Sequence, residues 1–225
     1  MIKAVIFDID GTLIDSVDLH AQAWQEALRK YGHDVAFADV RQQIGKGGDQ
    51  LLPVFLTPQQ QKQYGKQLED DRGEIWKSKY MHSVRPFLRV RELVQRILSD
   101  GKHVALASSA KADELEYYKK VAGIDDLIQK QTSSDDARRS KPYPDIFQAA
   151  ITKLHGVNAS EALVIGDSPY DAEAAAKIGI LSIGVRSGGF PKEQLQAAGY
   201  IEIYDNCSDL LAKYDQSPLQ TRAAA

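Results

Sequence analysis

The feature that most constrains the fold is a short apolar run near the start of the chain that ends in two acidic residues. Residues 4–7 (Ala-Val-Ile-Phe) are apolar and partly β-branched, which predicts a strand buried on both faces. Asp8 and Asp10 follow it, and side chains two residues apart on a strand point to the same side. Gly11 then permits a sharp turn. We therefore expect a central strand whose carboxyl end presents two carboxylates, where open α/β sheets bind their ligands.

Further apolar runs alternate with stretches of helical periodicity along the rest of the chain. Runs at 103–107, 162–165 and 180–185 predict buried strands. A shorter run at 127–128 predicts a short strand, and the run at 201–204 predicts a last edge strand. Strands that alternate with helices favour a parallel sheet with right-handed connections. The predicted fold class is α/β, a doubly wound parallel-sheet (Rossmann-like) core.

A long helical block interrupts this alternation after the first strand. The pair Asp15-Ser16 predicts a helix N-cap, and residues 33–82 are polar and helical without any strand-like run. We expect an inserted all-helical cap domain at residues 16–84. Residues 1–15 and 85–225 then form the α/β catalytic core, with a frayed tail at 217–225 because it has no periodicity.

Composition places the chain among ordinary globular proteins. Its 28 basic and 31 acidic residues give a net charge of −3, which does not favour nucleic acid or an anionic membrane as partner. Cys207 is the only cysteine, so an internal disulfide is impossible and a reducing compartment fits. The apolar run at the N-terminus is too short to span a membrane. We expect a cytoplasmic monomer.

Polar side chains stand at the carboxyl ends of three predicted strands. Asp8 and Asp10 end the first, Ser108 ends the second and Asp167 ends the third, while Lys141 precedes a predicted helix. Each pair of carboxylates at ~4 Å repels by about 4 kcal/mol at an effective dielectric near 20, so the cluster requires a cation. Mg²⁺ is the natural choice because it prefers oxygen ligands. No histidine and cysteine group at metal-binding spacing is present, which disfavours zinc.

The same groups suit a phosphoryl substrate. A serine hydroxyl and backbone N–H groups at a helix N-terminus can hold phosphate oxygens, and a lysine adds a point charge. One ionised aspartate can attack phosphorus, and a second can protonate the leaving oxygen and later deprotonate water. The pattern predicts metal-assisted phosphoryl transfer through a covalent aspartyl-phosphate.

Four segments resemble, in order, the motifs of the haloacid dehalogenase (HAD) superfamily in its phosphatase form. They are residues 8–16 (DIDGTLIDS), 106–109 (LASS), 141–147 (KPYPDIF) and 165–171 (IGDSPYD). The chain is most similar to the phosphoglycolate phosphatase and β-phosphoglucomutase-like subfamily, whose members carry a helical cap. The resemblance implies the same core fold and a cap at residues 16–84.

The resemblance also implies roles for the catalytic and phosphate-binding residues. Asp8 would be the nucleophile and Asp10 the general acid and base. Ser108 and Lys141 would bind the transferring phosphate, and Lys141 would also hold Asp8 ionised. Ser109 is a further phosphate-binding candidate, because either serine can cap the following helix instead.

The implied metal ligands are four aspartates. Asp8 and Asp167 would bind Mg²⁺ directly and Asp10 would bind it through its backbone carbonyl. Asp171 would act on the metal only indirectly, through another ligand or through water. Asp171 has an alternative explanation, since an acidic residue in the first turn of a helix is favoured by the helix dipole.

Two cap residues are further candidates for substrate contact. His20 lies one helical turn from Trp24 and either faces the cleft or packs in the cap. Lys46 belongs to the glycine-rich stretch 45–49, which is either a substrate-binding loop or a plain turn between helices.

The predicted function is a Mg²⁺-dependent phosphatase that acts on a small phosphorylated metabolite. The alternative is a phosphosugar mutase of the β-phosphoglucomutase type. Such mutases usually have Glu-Asp-Ser in the fourth motif, whereas this chain has Gly166-Asp167-Ser168. A receiver module that is only phosphorylated would have no use for a cap-sized insertion. The identity of the phosphate ester stays open.

Overall fold

The computed structural model describes residues 1–220, which form a parallel sheet between two layers of helices and a helical cap. The strands are β1 Ala4–Phe7, β2 Ile14–Asp15, β3 Arg85–Pro86, β4 His103–Ala107, β5 Lys130–Thr132, β6 Ala162–Gly166, β7 Leu181–Val185 and β8 Glu202–Tyr204. Six of them form one parallel sheet in the order β5-β4-β1-β6-β7-β8. The predicted α/β fold class is confirmed.

Eleven α-helices surround or cover the sheet within the described range. They are α1 Val17–Lys30, α2 Phe37–Arg41, α3 Gly48–Phe55, α4 Pro58–Gln60, α5 Lys66–Ile75, α6 Val90–Ser99, α7 Ala112–Ala122, α8 Asp145–Lys153, α9 Pro169–Ala176, α10 Lys192–Ala197 and α11 Cys207–Ala212. Two π-helical turns, Gln61–Gly65 and Trp76–Tyr80, flank α5. Among residues 1–220, every helix is too short or too polar to cross a membrane.

Strand β1 lies at the centre of the sheet, between β4 and β6, and both of its faces are covered. Val5 and Phe7 pack into the hydrophobic cluster on one side of the sheet, whereas Ala4 and Ile6 pack into the cluster on the other. This double burial explains why β1 is a continuous apolar run rather than an alternating one. Phe7 pairs in parallel with both β4 and β6, so the carboxyl ends of these three strands are level.

The helical insertion leaves and rejoins the core through one short ribbon. Strands β2 and β3 pair antiparallel, with Ile14 opposite Pro86 and Asp15 opposite Arg85. Helices α1 to α5 lie between these strands in the chain. Helices α1, α2, α3 and α5 share a hydrophobic cluster of their own, which includes Trp24, Leu51 and Leu68. We propose domain boundaries at residues 16 and 84, beside this ribbon.

Two local predictions differ from the structure. Residues 127–128 lie in a turn after α7 rather than in a strand, and Ile128 is buried in the core, while the edge strand is the more polar β5. The predicted frayed tail is wrong for residues 217–220, because Pro218–Gln220 form a 3₁₀ turn in which Leu219 is buried. Residues 221–225 of that predicted tail lie outside the described residues.

Candidate active site

Three buried carboxylates meet at the carboxyl edge of the sheet. Asp8 follows β1, Asp167 follows β6, and Asp171 lies in the first turn of α9. Each can offer one oxygen such that all three oxygens lie within 4.8 Å of one another. The hydroxyl of Thr12 lies 3.3 Å from both the Asp8 and the Asp167 carboxylates. The level ends of β1 and β6 therefore bring Asp8 next to Asp167 and Asp171, which come much later in the chain.

Lys141 joins this cluster from the segment before α8. Its Nζ donates to Asp8 Oδ1 at 2.5 Å and to Asp171 Oδ1 at 2.8 Å, and the residue is 1% exposed. Burial alone would lower the pKa of Lys141, but the Asp171 and Asp8 charges raise it well above its usual value. Lys141 is thus a buried ammonium ion rather than a surface lysine.

One ammonium ion does not balance three carboxylates. Burial raises the pKa of Asp8 to about 7, and the charges of Asp171 and Asp10 add to the rise while Lys141 opposes it. Burial also raises the pKa of Asp167 well above its usual value, and the charges of Asp8 and Asp171 add to the rise. Closely spaced oxygen donors with an excess of negative charge suit a hard divalent cation. The residues therefore fit a Mg²⁺-type site.

Asp171 serves the helix and the cluster at the same time. Its Oδ2 accepts hydrogen bonds from the Ser168 hydroxyl at 2.6 Å and the Ser168 N–H at 3.2 Å, which caps α9. Its Oδ1 accepts from Lys141. Asp171 therefore both caps α9 and belongs to the carboxylate cluster, so a position favoured by the helix dipole and a place near the metal site are compatible.

The carboxylate of Asp10 is directed away from the three-acid cluster and into a separate set of hydrogen bonds. Its Oδ1 accepts from the Ser16 hydroxyl at 2.6 Å and lies 2.9 Å from His20 Nε2. Burial would raise the pKa of Asp10, but its interactions with His20 and Ser16 lower it below its usual value. Ser16 is at the predicted N-cap position of α1, yet its hydroxyl donates to Asp10 and makes no capping hydrogen bond.

His20 links Asp10 to an arginine that the sequence did not indicate. Arg72 Nη2 lies 2.5 Å from His20 Nδ1. Because arginine can only donate, Nδ1 must accept, and Nε2 therefore carries the proton and donates it to Asp10. The ring of His20 also stacks on Trp76 with 3.7 Å between centroids. His20 is thus buried in the cap and also lines the cavity, and its contact with substrate stays a prediction.

The two serines after β4 occupy different places. Ser108 is fully buried, and its Oγ accepts from the Ala110 N–H at 3.0 Å. Ser109 lines the cavity above the carboxylate cluster. Both remain predicted phosphate-binding residues.

A cavity of about 500 Å³ lies between the core and the cap. Asp8, Asp10 and Lys141 form part of its floor, and the cap contributes His20 and Lys46. Lys46 donates to Gln43 Oε1 at 2.6 Å and lies 4.6 Å from the centroid of the Tyr170 ring. Burial lowers the pKa of Lys46. The cavity is large enough for a small metabolite.

The glycine-rich cap loop at residues 45–49 contacts the core next to Lys141. The Gly47 N–H donates to Ser140 Oγ at 2.8 Å, and Asp49 accepts from the Ser140 hydroxyl at 2.5 Å and from its N–H at 3.1 Å. A β-carbon at Gly47 would lie 2.7 Å from the Ser140 β-carbon. The loop is therefore more than a turn between helices.

Glycines let the backbone approach Asp167 closely. A β-carbon on Gly188, or on Gly11, would overlap the Asp167 carboxylate. Ser187 donates to the Gly11 carbonyl at 2.7 Å and holds these two segments together. The sequence predicts only a turn at 186–189, because nothing local shows that this turn faces Asp167.

Comparison with known proteins gives a consistent set of relatives. Residues 5–185 match the family described as haloacid dehalogenase-like hydrolase. A phosphoglycolate phosphatase of Vibrio parahaemolyticus is 29% identical over 219 residues, which cover 93% of this chain and 95% of that enzyme. The chloroplastic protein SUPPRESSOR OF QUENCHING 1 of Arabidopsis thaliana is 32% identical over 83% of this chain, but this chain spans only 18% of the plant protein.

The fold has close counterparts among solved structures. The crystal structure of a hydrolase from Pseudomonas syringae superposes with a TM-score of 0.85 and 29% identity. The match covers 95% of this chain and 98% of that one, so it includes the cap as well as the core.

Proposed function

The chain belongs to the haloacid dehalogenase-like hydrolases, and on that premise we propose a Mg²⁺-dependent phosphatase that forms an aspartyl-phosphate on Asp8. Its substrate would be a small phosphate monoester. The observation that carries the proposal is the buried cluster of Asp8, Asp167, Asp171 and Lys141. Of these residues, Asp8 and Lys141 line the cavity between the core and the cap.

In the first step, an Asp8 carboxylate oxygen attacks phosphorus and the bond to the leaving oxygen breaks. Lys141 donates a hydrogen bond to Asp8 Oδ1, and its positive charge favours the ionised form of that carboxyl. The phosphoryl oxygens would be held by Lys141 and by Ser108 or Ser109. Asp10 would protonate the leaving oxygen, so that an alcohol departs rather than an alkoxide.

In the second step, Asp10 accepts a proton from water, and the resulting hydroxide attacks the phosphorus on Asp8. Inorganic phosphate leaves and the Asp8 carboxylate is restored. The low pKa of Asp10 keeps it ionised, which is the form that this base step requires. The acid step requires Asp10 to carry a proton, and we propose that its hydrogen bonds to Ser16 and His20 rearrange when substrate binds.

Asp8, Asp167 and Asp171, with the backbone carbonyl of Asp10, are the proposed Mg²⁺ ligands. Bound Mg²⁺ would neutralise the carboxylate cluster and the charge on the phosphoryl oxygens. This proposal rests on the short distances between the three carboxylate oxygens and on the raised pKa values of Asp8 and Asp167.

The name of the Vibrio relative suggests phosphoglycolate as one substrate to test. A phosphosugar mutase uses the same nucleophile and remains the alternative. A mutase would need a sugar bisphosphate for activation and would form an isomer without net release of phosphate. Phosphate release that equals substrate consumption therefore distinguishes the phosphatase from the mutase.

The test is a phosphate-release screen over small phosphate monoesters and p-nitrophenyl phosphate, with Mg²⁺ and with chelator. We expect Mg²⁺-dependent release that Asp8→Asn abolishes. Asp15→Asn is the matched control, because Asp15 is an exposed residue of the same motif and makes no contact with the cluster. Full activity of Asp8→Asn, or isomer formation in place of phosphate release, would reject the proposal.

A further inference from the structure

Arg41 joins the cap to the core at a place that the proposed phosphoryl chemistry does not use. It is the last residue of α2 in the cap. Its Nε donates to Asp18 Oδ1 at 2.5 Å, and its Nη2 donates to the Gly188 carbonyl at 3.1 Å. Asp18 lies in the first turn of α1, also in the cap, whereas Gly188 lies in the core after β7. Arg41 therefore connects the cap to the core loop at residues 186–189.

This core loop lies directly against Asp167, a proposed metal ligand. A β-carbon on Gly188 would overlap Asp167 Oδ2, so the backbone of the loop covers that oxygen. The other oxygen, Oδ1, accepts from the Thr12 hydroxyl at 3.3 Å, and Asp167 is only 2% exposed. The orientation of the Asp167 carboxylate therefore depends on where the loop lies.

The guanidinium of Arg41 also packs against Gly189, the next residue of the loop. Gly189 has a φ of 83°, a conformation that favours glycine, and a β-carbon there would lie 2.5 Å from Arg41 Nη2. Two successive glycines thus let the loop fit between the guanidinium of the cap and the carboxylate of Asp167. The contacts are continuous from Arg41 through the loop to the proposed metal site.

A surface ion pair alone does not explain this arrangement. The Asp18 side chain is 60% exposed, and ion pairs at such positions contribute little to stability. Within residues 1–220, the lining of the cavity does not include Arg41, so Arg41 is not placed to bind the substrate. Because the guanidinium is a rigid fork, the bond from Nε to Asp18 directs Nη2 towards the Gly188 carbonyl.

We propose that Arg41 is a positioning residue for Asp167, an inference that rests on the Mg²⁺ site proposed above. Through the Gly188 carbonyl, Arg41 holds the loop against Asp167 and keeps that carboxylate in the orientation that binds Mg²⁺. Since Arg41 and Asp18 both belong to the cap, the affinity for Mg²⁺ depends on the position of the cap on the core. By thermodynamic linkage, bound Mg²⁺ favours the same position of the cap.

The experiment measures the Kd of Mg²⁺ for the substrate-free protein by isothermal titration calorimetry. Arg41→Ala is expected to raise this Kd by about tenfold, because loss of a group that orients a metal ligand weakens metal binding. Asp18→Ala should raise it by less, and should have no further effect when combined with Arg41→Ala, since both act through one guanidinium. Arg29→Ala is the matched control, because Arg29 is exposed and pairs with Asp34 inside the cap.

An unchanged Kd in Arg41→Ala, an equal loss in Arg29→Ala, or a full effect of Asp18→Ala in the Arg41→Ala background would overturn the inference. Thermal unfolding without Mg²⁺ shows whether Arg41→Ala is folded. If it is not, Asp18→Ala provides the test, and a wild-type Kd in that variant overturns the inference. Absence of Mg²⁺ binding by the wild type rejects the metal site itself, whereas binding that is independent of Arg41 rejects only its positioning role.

Discussion

His20 connects the proposed general acid and base to the cap through both of its ring nitrogens. Nε2 donates to Asp10, Nδ1 accepts from Arg72, and the ring is fixed by stacking on Trp76. Since α1 and α5 both belong to the helical insertion, the protonation state of a core residue depends on side chains from the cap. This arrangement couples the proton chemistry of Asp10 to the position of the cap.

The coupling gives a prediction for His20→Ala. Removing the histidine removes the main interactions that lower the pKa of Asp10, so that pKa rises. The acidic limb of the kcat–pH profile should therefore move to higher pH, and kcat should fall by about tenfold or more. Steady-state rates across the pH range provide the measurement. His155→Ala, at an exposed position, should leave the profile unchanged.

The carboxylate cluster stores electrostatic repulsion in the metal-free protein. The folded-state pKa of Asp8 is about 7, above its ordinary value of 3.8. Between these values the folded protein binds more protons than the unfolded chain, so stability should decrease as the pH rises from about 4 to about 7. Mg²⁺ should restore the lost stability at the upper end of this range.

Asp167→Asn tests this repulsion directly. The change removes one buried charge and should raise metal-free stability by about 2 kcal/mol, or the Tm by about 4–8 °C, at neutral pH. It should also remove the stabilisation by Mg²⁺ and the activity. Thermal unfolding with and without Mg²⁺ at about pH 5 and about pH 8 measures both effects. A large loss of metal-free stability in Asp167→Asn would contradict the repulsion.

At the scale of single residues, the sequence indicates groups that stand directly at strand ends or in contiguous motifs. Asp8, Asp167 and Lys141 are of this kind, and all three lie in one cluster. Arg72 and Glu114 could not be predicted, because each is a charged residue on a helix whose sequence resembles any solvated helix face. Only the packing of cap on core shows that these two side chains line the cavity.

At the scale of elements, the cap loop at residues 45–49 holds the segment that carries Lys141. Three hydrogen bonds connect Gly47 and Asp49 to Ser140, the residue before Lys141. Tyr170 of α9 adds a hydrogen bond to the Gln42 carbonyl at 2.6 Å, just before the loop. The loop therefore links the position of the cap on the core to the position of Lys141.

Gly47→Ala should disrupt this link. The new methyl group would overlap Ser140, so the loop must move away, and we expect kcat/KM to fall by about tenfold or more. Gly73→Ala is the matched control, because a β-carbon there meets nothing within 4 Å. Steady-state kinetics of both variants provides the comparison. Equal activity of the two would show that the loop contact is dispensable.

The strands illustrate what a hydrophobic pattern can and cannot predict. β1, β4, β6 and β7 are buried on both faces and appear in the sequence as apolar runs. β5 lies at the sheet edge with the sequence Lys-Gln-Thr, and the apolar pair before it, Leu127-Ile128, packs from a turn. A short edge strand needs no apolar run, so tertiary pairing with β4 determines it.

At the scale of the whole molecule, the fold follows from the order of its elements. Alternating strands and helices predict the parallel sheet, and a long helical stretch without strands predicts the insertion. The position of the cap on the core depends on a few polar contacts, such as Gly47 with Ser140 and Tyr170 with Gln42. The residues of each pair are distant in sequence, so no local pattern reveals these contacts. The core could therefore be predicted from the sequence. Of the cap side of the cavity wall, the sequence indicated only His20 and Lys46 as candidates.

The central claim is that Asp8 carries the phosphoryl group during turnover. The most direct measurement is acid quenching during hydrolysis of a radiolabelled phosphate monoester, followed by reduction of the acyl phosphate and peptide mass spectrometry. The label should appear on Asp8 in the wild type at early times, disappear as substrate is exhausted, and be absent from Asp8→Asn. Rapid Mg²⁺-dependent hydrolysis with no protein-bound label at any time, or with the label on another residue, would contradict the proposed mechanism.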